Sequence, residues 1–280
     1  MRRVLIAGCG DVGNRIGVAL AKQGHEVFGI RRNVSALAPG IRPVSADPRT
    51  GAGFSNIPSA CDEVVYAAAG AGREEAAYRQ LYVEGLTRTL EHLGDVPRVL
   101  FTSSTAVYAQ SRGEWVDETS LTQPVRFNGK VMLEAEALTL SVSGGQVLRL
   151  GGLYGPGRDR LLRLVESGSP TVEVPPRFTN RIHVDDAARA AVHLLLSPVA
   201  ATDLPVVLGV DDEPAAEHDV RDWLAGQLGV APPPREERLA DAPMNKRCRN
   251  LALRNSGFVF QYPSYREGYA QVLRERHEKT

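Results

Sequence analysis

No charge of either sign is in surplus: 33 Lys and Arg stand against 33 Asp and Glu, a formal net charge of +0. Without a basic stripe to act as an electrostatic footprint, nucleic acid and anionic lipid are excluded as principal partners, which leaves a small neutral or anionic molecule as the expected ligand. Cysteine is scarce: Cys9, Cys61 and Cys248 are far apart, form no CxxC pair and have no histidine nearby. That excludes a disulfide framework and a zinc site, so no metal is expected and a reducing cytoplasm is the expected location. Long apolar runs are missing too. Met1-Arg2-Arg3 followed by Val4 to Ala7 superficially resembles the head of a signal peptide, but glycines follow at once and the run is too short. No other stretch approaches a membrane span. With 280 residues and 43% hydrophobic content, the chain can bury a full core, which excludes a disordered protein.

What is present is an alternation of apolar runs and breakers. Val4–Ala7 reads as a buried strand, Val12–Gln23 as a helix and Glu26–Ile30 as a second strand. Further strands are expected over Glu63–Ala68, Arg98–Thr102, Gly145–Leu150 and Val206–Val210, with helices over Glu74–Leu93, Asn128–Ser141 and Asp185–Leu196. Because each parallel crossover needs a helix on a sheet face, this order predicts an α/β fold: a Rossmann-like, doubly wound parallel sheet. Beyond about residue 151, Gly155-Pro156-Gly157, Pro175-Pro176 and Pro232-Pro233-Pro234 break the pattern. The expected division is a dinucleotide-binding domain over 1–155, also receiving part of 179–210, and a smaller, partly interleaved C-terminal substrate lobe over 156–280.

Gly8, Gly10 and Gly13 form GxGxxG directly between the first strand and the first helix. The spacing suits a tight turn, a close approach of backbone to a pyrophosphate and close packing of helix on strand, with Asp11 and Val12 in the same cofactor-binding stretch at the positive helix end. NAD-selective sites place an acid at the end of the second strand, where it accepts from the ribose 2′-hydroxyl; here Arg31 and Arg32 occupy that place. Guanidinium groups pair with a 2′-phosphate, so NADP is the expected cofactor, with NAD the lesser alternative. A pair of solvated surface arginines is the competing reading.

With these residues the chain resembles the extended and atypical short-chain dehydrogenase/reductases, a group broadly described as NAD-dependent epimerase/dehydratase proteins. The resemblance continues through Tyr82-Val83-Glu84-Gly85, Thr102-Ser103-Ser104-Thr105-Ala106-Val107-Tyr108, Leu153-Tyr154-Gly155-Pro156-Gly157 and Arg181-Ile182-His183-Val184-Asp185-Asp186. It implies that Asp47 contacts the adenine and that Ala67, Ala68 and Ala69, before Gly70, form the turn beside the nicotinamide ribose. Asn245-Lys246-Arg247 and Tyr262-Pro263-Ser264-Tyr265-Arg266-Glu267-Gly268 are similar to an atypical subgroup.

The departures from the family pattern bear on catalysis. The tyrosine that should precede the lysine by four positions falls at Arg126, while Lys130 is present. The tetrad asparagine aligns with Tyr82, and Ser104 aligns with the serine that orients the substrate oxygen. Arginine stays protonated, so Arg126 cannot exchange a proton near neutral pH, although it can stabilise an oxyanion. Lys130 reads either as a ribose ligand or as a solvated helix lysine. Tyr108, Tyr154 and Tyr82 are replacement acids or, on the plainer reading, rings packed with satisfied hydroxyls. His183 reads as a base or, on the plainer reading, as a hydrogen-bonding residue next to the N-cap-like Asp185, and Gly152, where many nucleotide-sugar enzymes carry asparagine, weakens a sugar-nucleotide substrate. The implied function is an NADP-dependent oxidoreductase or epimerase/dehydratase acting on a small carbonyl or alcohol, with Ser104, Lys130, Arg126 and Tyr108 as the catalytic set. A non-redox NADP-binding sensor and a non-redox isomerase or lyase stay open as alternatives. A homodimer is compatible with the sequence, which does not encode the oligomeric state legibly.

Overall fold

In the computed structural model, which describes residues 1–70, 72, 74–197, 205–237 and 244–278, seven strands form one sheet. They are β1 (Arg3–Ala7), β2 (Glu26–Ile30), β3 (Ile41–Val44), β4 (Glu63–Tyr66), β5 (Arg98–Ser104), β6 (Gly145–Leu150) and β7 (Val206–Gly209). Their order is β7-β6-β5-β4-β1-β2-β3. The pairs β1/β2, β2/β3, β1/β4 and β4/β5 are parallel, and beside β6 and β7 the bonds from Val147 N to Pro205 O and from Gly151 N to Gly209 O climb in step, as parallel pairing requires. Helices on both faces bury such strands completely, which is why they read as unbroken apolar runs. Val4, Leu5, Ile6, Val64, Val65 and Tyr66 are all fully buried.

The chain runs β1 to β3 toward one edge and then returns to lay β4 to β7 toward the other. The direction therefore reverses between β1 and β4, and the crevice outside the carboxyl ends of those strands is where an open α/β sheet takes its ligand. The helix α1 (Asp11–Lys22) follows β1 directly. The helix expected over 74–93 is interrupted: α2 (Glu75–Arg79) passes through a π turn at Gln80–Glu84 into α3 (Gly85–Leu93). Tyr66 holds that turn, its hydroxyl donating to the Leu81 carbonyl at 2.5 Å. The helix α4 (Phe127–Leu140) precedes β6.

The described residues divide into two compact units interleaved in sequence: 1–107 with 123–149 and 187–207, and 108–122 with 150–186 and 208–280. This differs from the division expected at 155, since 108–122 and 150–155 group with the second unit. The reason is non-local pairing. Glu114–Val116 lies parallel to Lys246–Cys248, more than a hundred residues away, a contact that no local periodicity announces. Gly152–Tyr154 likewise pairs with Arg181–His183. Around Tyr154, Leu162, Leu224, Tyr265, Tyr269 and Leu273 the second unit has a core of its own.

Within the first unit, a charged network lies inside the core. Ser103, 4% exposed, donates its hydroxyl to Glu136 Oε1 at 2.5 Å, and Arg149 binds both oxygens of the same carboxylate at 3.0 and 2.7 Å. Removing one member strands the other charge. Arg149→Met is expected to lower unfolding stability by about 3 to 5 kcal/mol, whereas Arg149→Met combined with Glu136→Leu should cost clearly less than the sum of the two single changes. Urea denaturation of the three variants checks this, and additive losses would mean that the pair is not coupled.

Candidate functional site

The site starts at the turn that ends β1. Gly8 has φ +91, a left-handed conformation, and a side chain there would collide with the backbone of Ala67 and Ala68 at the end of β4. The two loops that flank the reversal in strand order thus touch through a missing Cβ. Ala67 extends the pairing by donating its N–H to the Ala7 carbonyl at 2.8 Å. A Cβ on Gly13 would stand 2.6 Å from the Gly8 oxygen and 3.2 Å from Ile6 Cγ2, so this glycine lets α1 lie against β1. At Gly10, by contrast, an added Cβ would meet nothing within 4 Å. No packing demand explains that glycine. The open cradle at the start of α1, where first-turn N–H groups have no partner inside the helix, fits a dinucleotide pyrophosphate. Asp11 directs its carboxylate to Arg15, 2.9 Å away on the next turn of α1.

A second set of bonds ties the end of β2 to this turn. Cys9 donates its N–H to the Ile30 carbonyl at 3.0 Å. Arg31 donates from Nη1 to the carbonyls of Cys9 and Ala36, at 3.2 and 3.3 Å. Asn14 completes the lashing, donating to the same two carbonyls and accepting from Ala38 N at 2.9 Å. Of the two arginines expected to meet a 2′-phosphate, Arg31 therefore braces the loop, and Arg32 stands exposed. Asp47 is held by Arg49 through both carboxylate oxygens, at 3.2 and 2.9 Å. That hydrogen-bonded pairing, with a smaller contribution from the charge of Arg32, keeps its carboxyl below the usual range. Sequence reasoning missed Asn14 and Arg49; the place of Asn14 directly after the last glycine of the motif was the available signal. Burial pushes the Cys9 thiol up to about 12, against the opposing influence of Arg31, so it is no nucleophile at neutral pH.

At the end of β5, strand alternation separates two adjacent serines. Ser103 points into the buried Glu136 network, whereas the half-buried Ser104 accepts from Ala106 N at 3.1 Å, which leaves its hydroxyl proton to donate. Gly129 in α4 would meet the Ala106 carbonyl and Pro124 Cβ at 2.5 Å if it had a side chain, so it seats the start of α4 against this loop. Arg126 is the N-cap of α4, with extended backbone at φ −83 and ψ 148, and it is exposed. It is not a residue of the helix. One backbone bond of 3.3 Å, from Lys130 N to the Arg126 carbonyl, joins the two positions four residues apart, and Lys130 is exposed.

The tyrosines proposed as replacement acids are packed. Tyr82 lies in the π turn, its ring 5.1 Å from Tyr78 and 6.5 Å from Phe101, and burial pushes its hydroxyl up to about 12. That is opposite to the shift a proton exchanger near neutral pH needs. In the second unit, Tyr108 is fully buried with its hydroxyl donating to the Asp117 carbonyl at 2.8 Å. Tyr154 donates to Ser264 O at 3.1 Å, and burial raises its pKa far above the usual phenol range. His183 is fully buried, accepts from Asp185 N at 3.2 Å and sits 3.3 Å from Gln271 Oε1. Gly152 is exposed, with the Asn180 carbonyl 3.2 Å from where its Cβ would be. Among the described residues no group of three or more His, Cys, Asp or Glu could hold a metal ion, and no helix is long and apolar enough to cross a membrane.

Comparison with known proteins agrees with this geometry. A solved structure from Methylobacillus flagellatus, assigned to the NAD-dependent epimerase/dehydratases, matches at 34% identity with a TM-score of 0.82, covering 99% of each chain. The 3-diazoavenalumate denitrifying reductase of a Streptomyces species is 32% identical over 86% of both chains. A short-chain dehydrogenase/reductase superfamily protein from Agrobacterium tumefaciens, solved with bound NAD, shares the fold at a TM-score of 0.82 and 20% identity, over 99% of this chain and 98% of that one. The pattern of the NAD dependent epimerase/dehydratase family matches residues 4–208. Covering well over half of the chain and including the glycine turn, the alanine turn and Ser104, that match establishes that the chain belongs to the NAD-dependent epimerase/dehydratase family.

Proposed function

We propose that the protein is an NADP-dependent oxidoreductase acting on the carbonyl or alcohol of a small molecule. The observation that carries this reading is the open cradle at Gly10 with exposed Arg32 at the end of β2. A cation there supplies the charge-assisted bonds that a 2′-phosphate requires. Further support comes from the Streptomyces relative, which is named a reductase. The bound nicotinamide would supply or accept the hydride.

The chain's own residues would then hold the substrate oxygen. With its lone pair engaged by Ala106 N, the Ser104 hydroxyl donates to that oxygen. Arg126 brings a guanidinium that stabilises an alkoxide without exchanging a proton. Lys130 holds a ribose hydroxyl. One observation favours a second reading, a non-redox NADP-binding sensor: the hydroxyls of Tyr108 and Tyr154 are bonded to backbone carbonyls, which leaves neither as an evident proton donor.

Three measurements test the proposal. Arg32→Asp should weaken NADPH binding about ten- to a hundredfold, the loss of one charge-assisted bond of roughly 1.5 to 3 kcal/mol, and leave NADH affinity near the wild-type value; an unchanged NADPH affinity in calorimetry would reassign Arg32 to the solvated surface. Gly10→Val should keep the thermal midpoint within a few degrees, because the space is open, yet abolish detectable NADPH binding; retained binding would mean that the pyrophosphate lies elsewhere. Ser104→Ala should lower kcat/KM with NADPH on a carbonyl panel by about 10² to 10³ at constant NADPH affinity. Wild-type protein that binds NADPH but turns over no member of the panel would favour the sensor.

A further inference from the structure

Lys246 is one of four lysines in the chain, with Lys22, Lys130 and Lys279, and it is only 3% exposed. Its strand, Lys246–Cys248, lies parallel to Glu114–Val116 in the second unit. Strand alternation turns Lys246 and Cys248 inward, while the Arg247 guanidinium stacks 4.8 Å from the Trp115 ring and 4.7 Å from Phe178. Side chains fasten the strand as well. Asn180 donates to the Lys246 carbonyl at 2.9 Å and accepts from Cys248 N at 2.6 Å, and Asn245 donates to Pro176 O and accepts from Phe178 N, at 2.9 and 2.8 Å. The backbone is thus held, and the ammonium stays inside.

An ammonium has three donors. Among the described residues this one makes a single long hydrogen bond, 3.5 Å to the Tyr108 carbonyl, and lies 6.0 Å from the centre of the Tyr108 ring. Burial holds it below the usual lysine range, and among the described residues the group that acts on its charge is the Cys248 thiol, not a carboxylate. Burial pushes that thiol up to about 12, so it is neutral and balances nothing. Two residues beyond Tyr108, Gln110 Oε1 is also buried without a partner among the described residues. Lysine is rarely this deep unless it is paired, because an isolated buried cation is costly.

We propose that Lys246 Nζ anchors an anion-binding site in the second unit that takes an oxyanion of a small molecule, a carboxylate or a phosphate, as the counter-charge that none of the described residues supplies. The proposal goes beyond the reductase reading and stands whether or not that reading holds.

Calorimetry and thermal denaturation of the full chain, with sodium benzoate, inorganic phosphate and neutral benzamide as probes, test it. Benzoate or phosphate should bind and raise the midpoint, the stronger of the two identifying the source of the oxyanion, and benzamide should do neither. Lys246→Met should have a ligand-free midpoint equal to or above that of the wild type, since it removes an unmatched charge, and should bind the anion at least tenfold more weakly. Lys246→Arg should keep the affinity within tenfold. Should Lys246→Met not fold, Lys246→Gln replaces it, and the wild-type comparison of benzoate with benzamide needs no variant. No binding of either anion, equal binding of benzoate and benzamide, or undiminished binding in the neutral variant would each overturn the proposal.

Discussion

A side chain at Gly8 would stand inside the backbone of Ala67 and Ala68, so the ends of β1 and β4 can lie together only with hydrogen at that position. The rest of the cofactor end depends on this contact. It sets the turn from which α1 departs, and the Gly13 position then lets that helix settle on β1. Arg31 and Asn14 complete the frame by holding the loop after β2 to the Cys9 carbonyl. What remains open is the space at Gly10, the one glycine of the motif that no neighbour among the described residues requires. A backbone held this firmly around an open cradle is preorganised for a phosphate group.

Much of the first unit was legible because parallel strands buried on both faces announce themselves as short apolar runs between breakers. Val4 to Ala7 and Val64 to Tyr66 are examples, and the glycine spacing located the turn between strand and helix. Less legible was anything that depends on a distant partner. The pairing of Glu114–Val116 with Lys246–Cys248 places residues 108–122 in the second unit, and no local pattern carries that information. The π turn at Gln80–Glu84 depends on the Tyr66 hydroxyl, a tertiary contact that the helical periodicity of 74–93 conceals. The helix Tyr265–Glu278, by contrast, buries Tyr265, Tyr269, Val272 and Leu273 at helical spacing, a periodicity that the sequence does carry.

The same distinction runs through the candidate site. Ser103 and Ser104 are chemically identical in sequence, and only strand alternation and the buried Glu136 separate the structural hydroxyl from the available one. Arg31 and Arg32 look like a matched pair, yet one braces a loop and the other faces solvent. For Tyr108, Tyr82 and Tyr154 the plainer reading, a packed ring, fits the structure better than a role as replacement acid.

The central claim, an NADP site built on the Gly8 turn, is tested most directly by calorimetric titration of the wild-type chain with NADPH and with NADH under identical conditions. The account predicts a single site that binds NADPH at least about tenfold more tightly than NADH, the equivalent of one charge-assisted bond. Equal affinities, a preference for NADH, or no binding of either dinucleotide would contradict it.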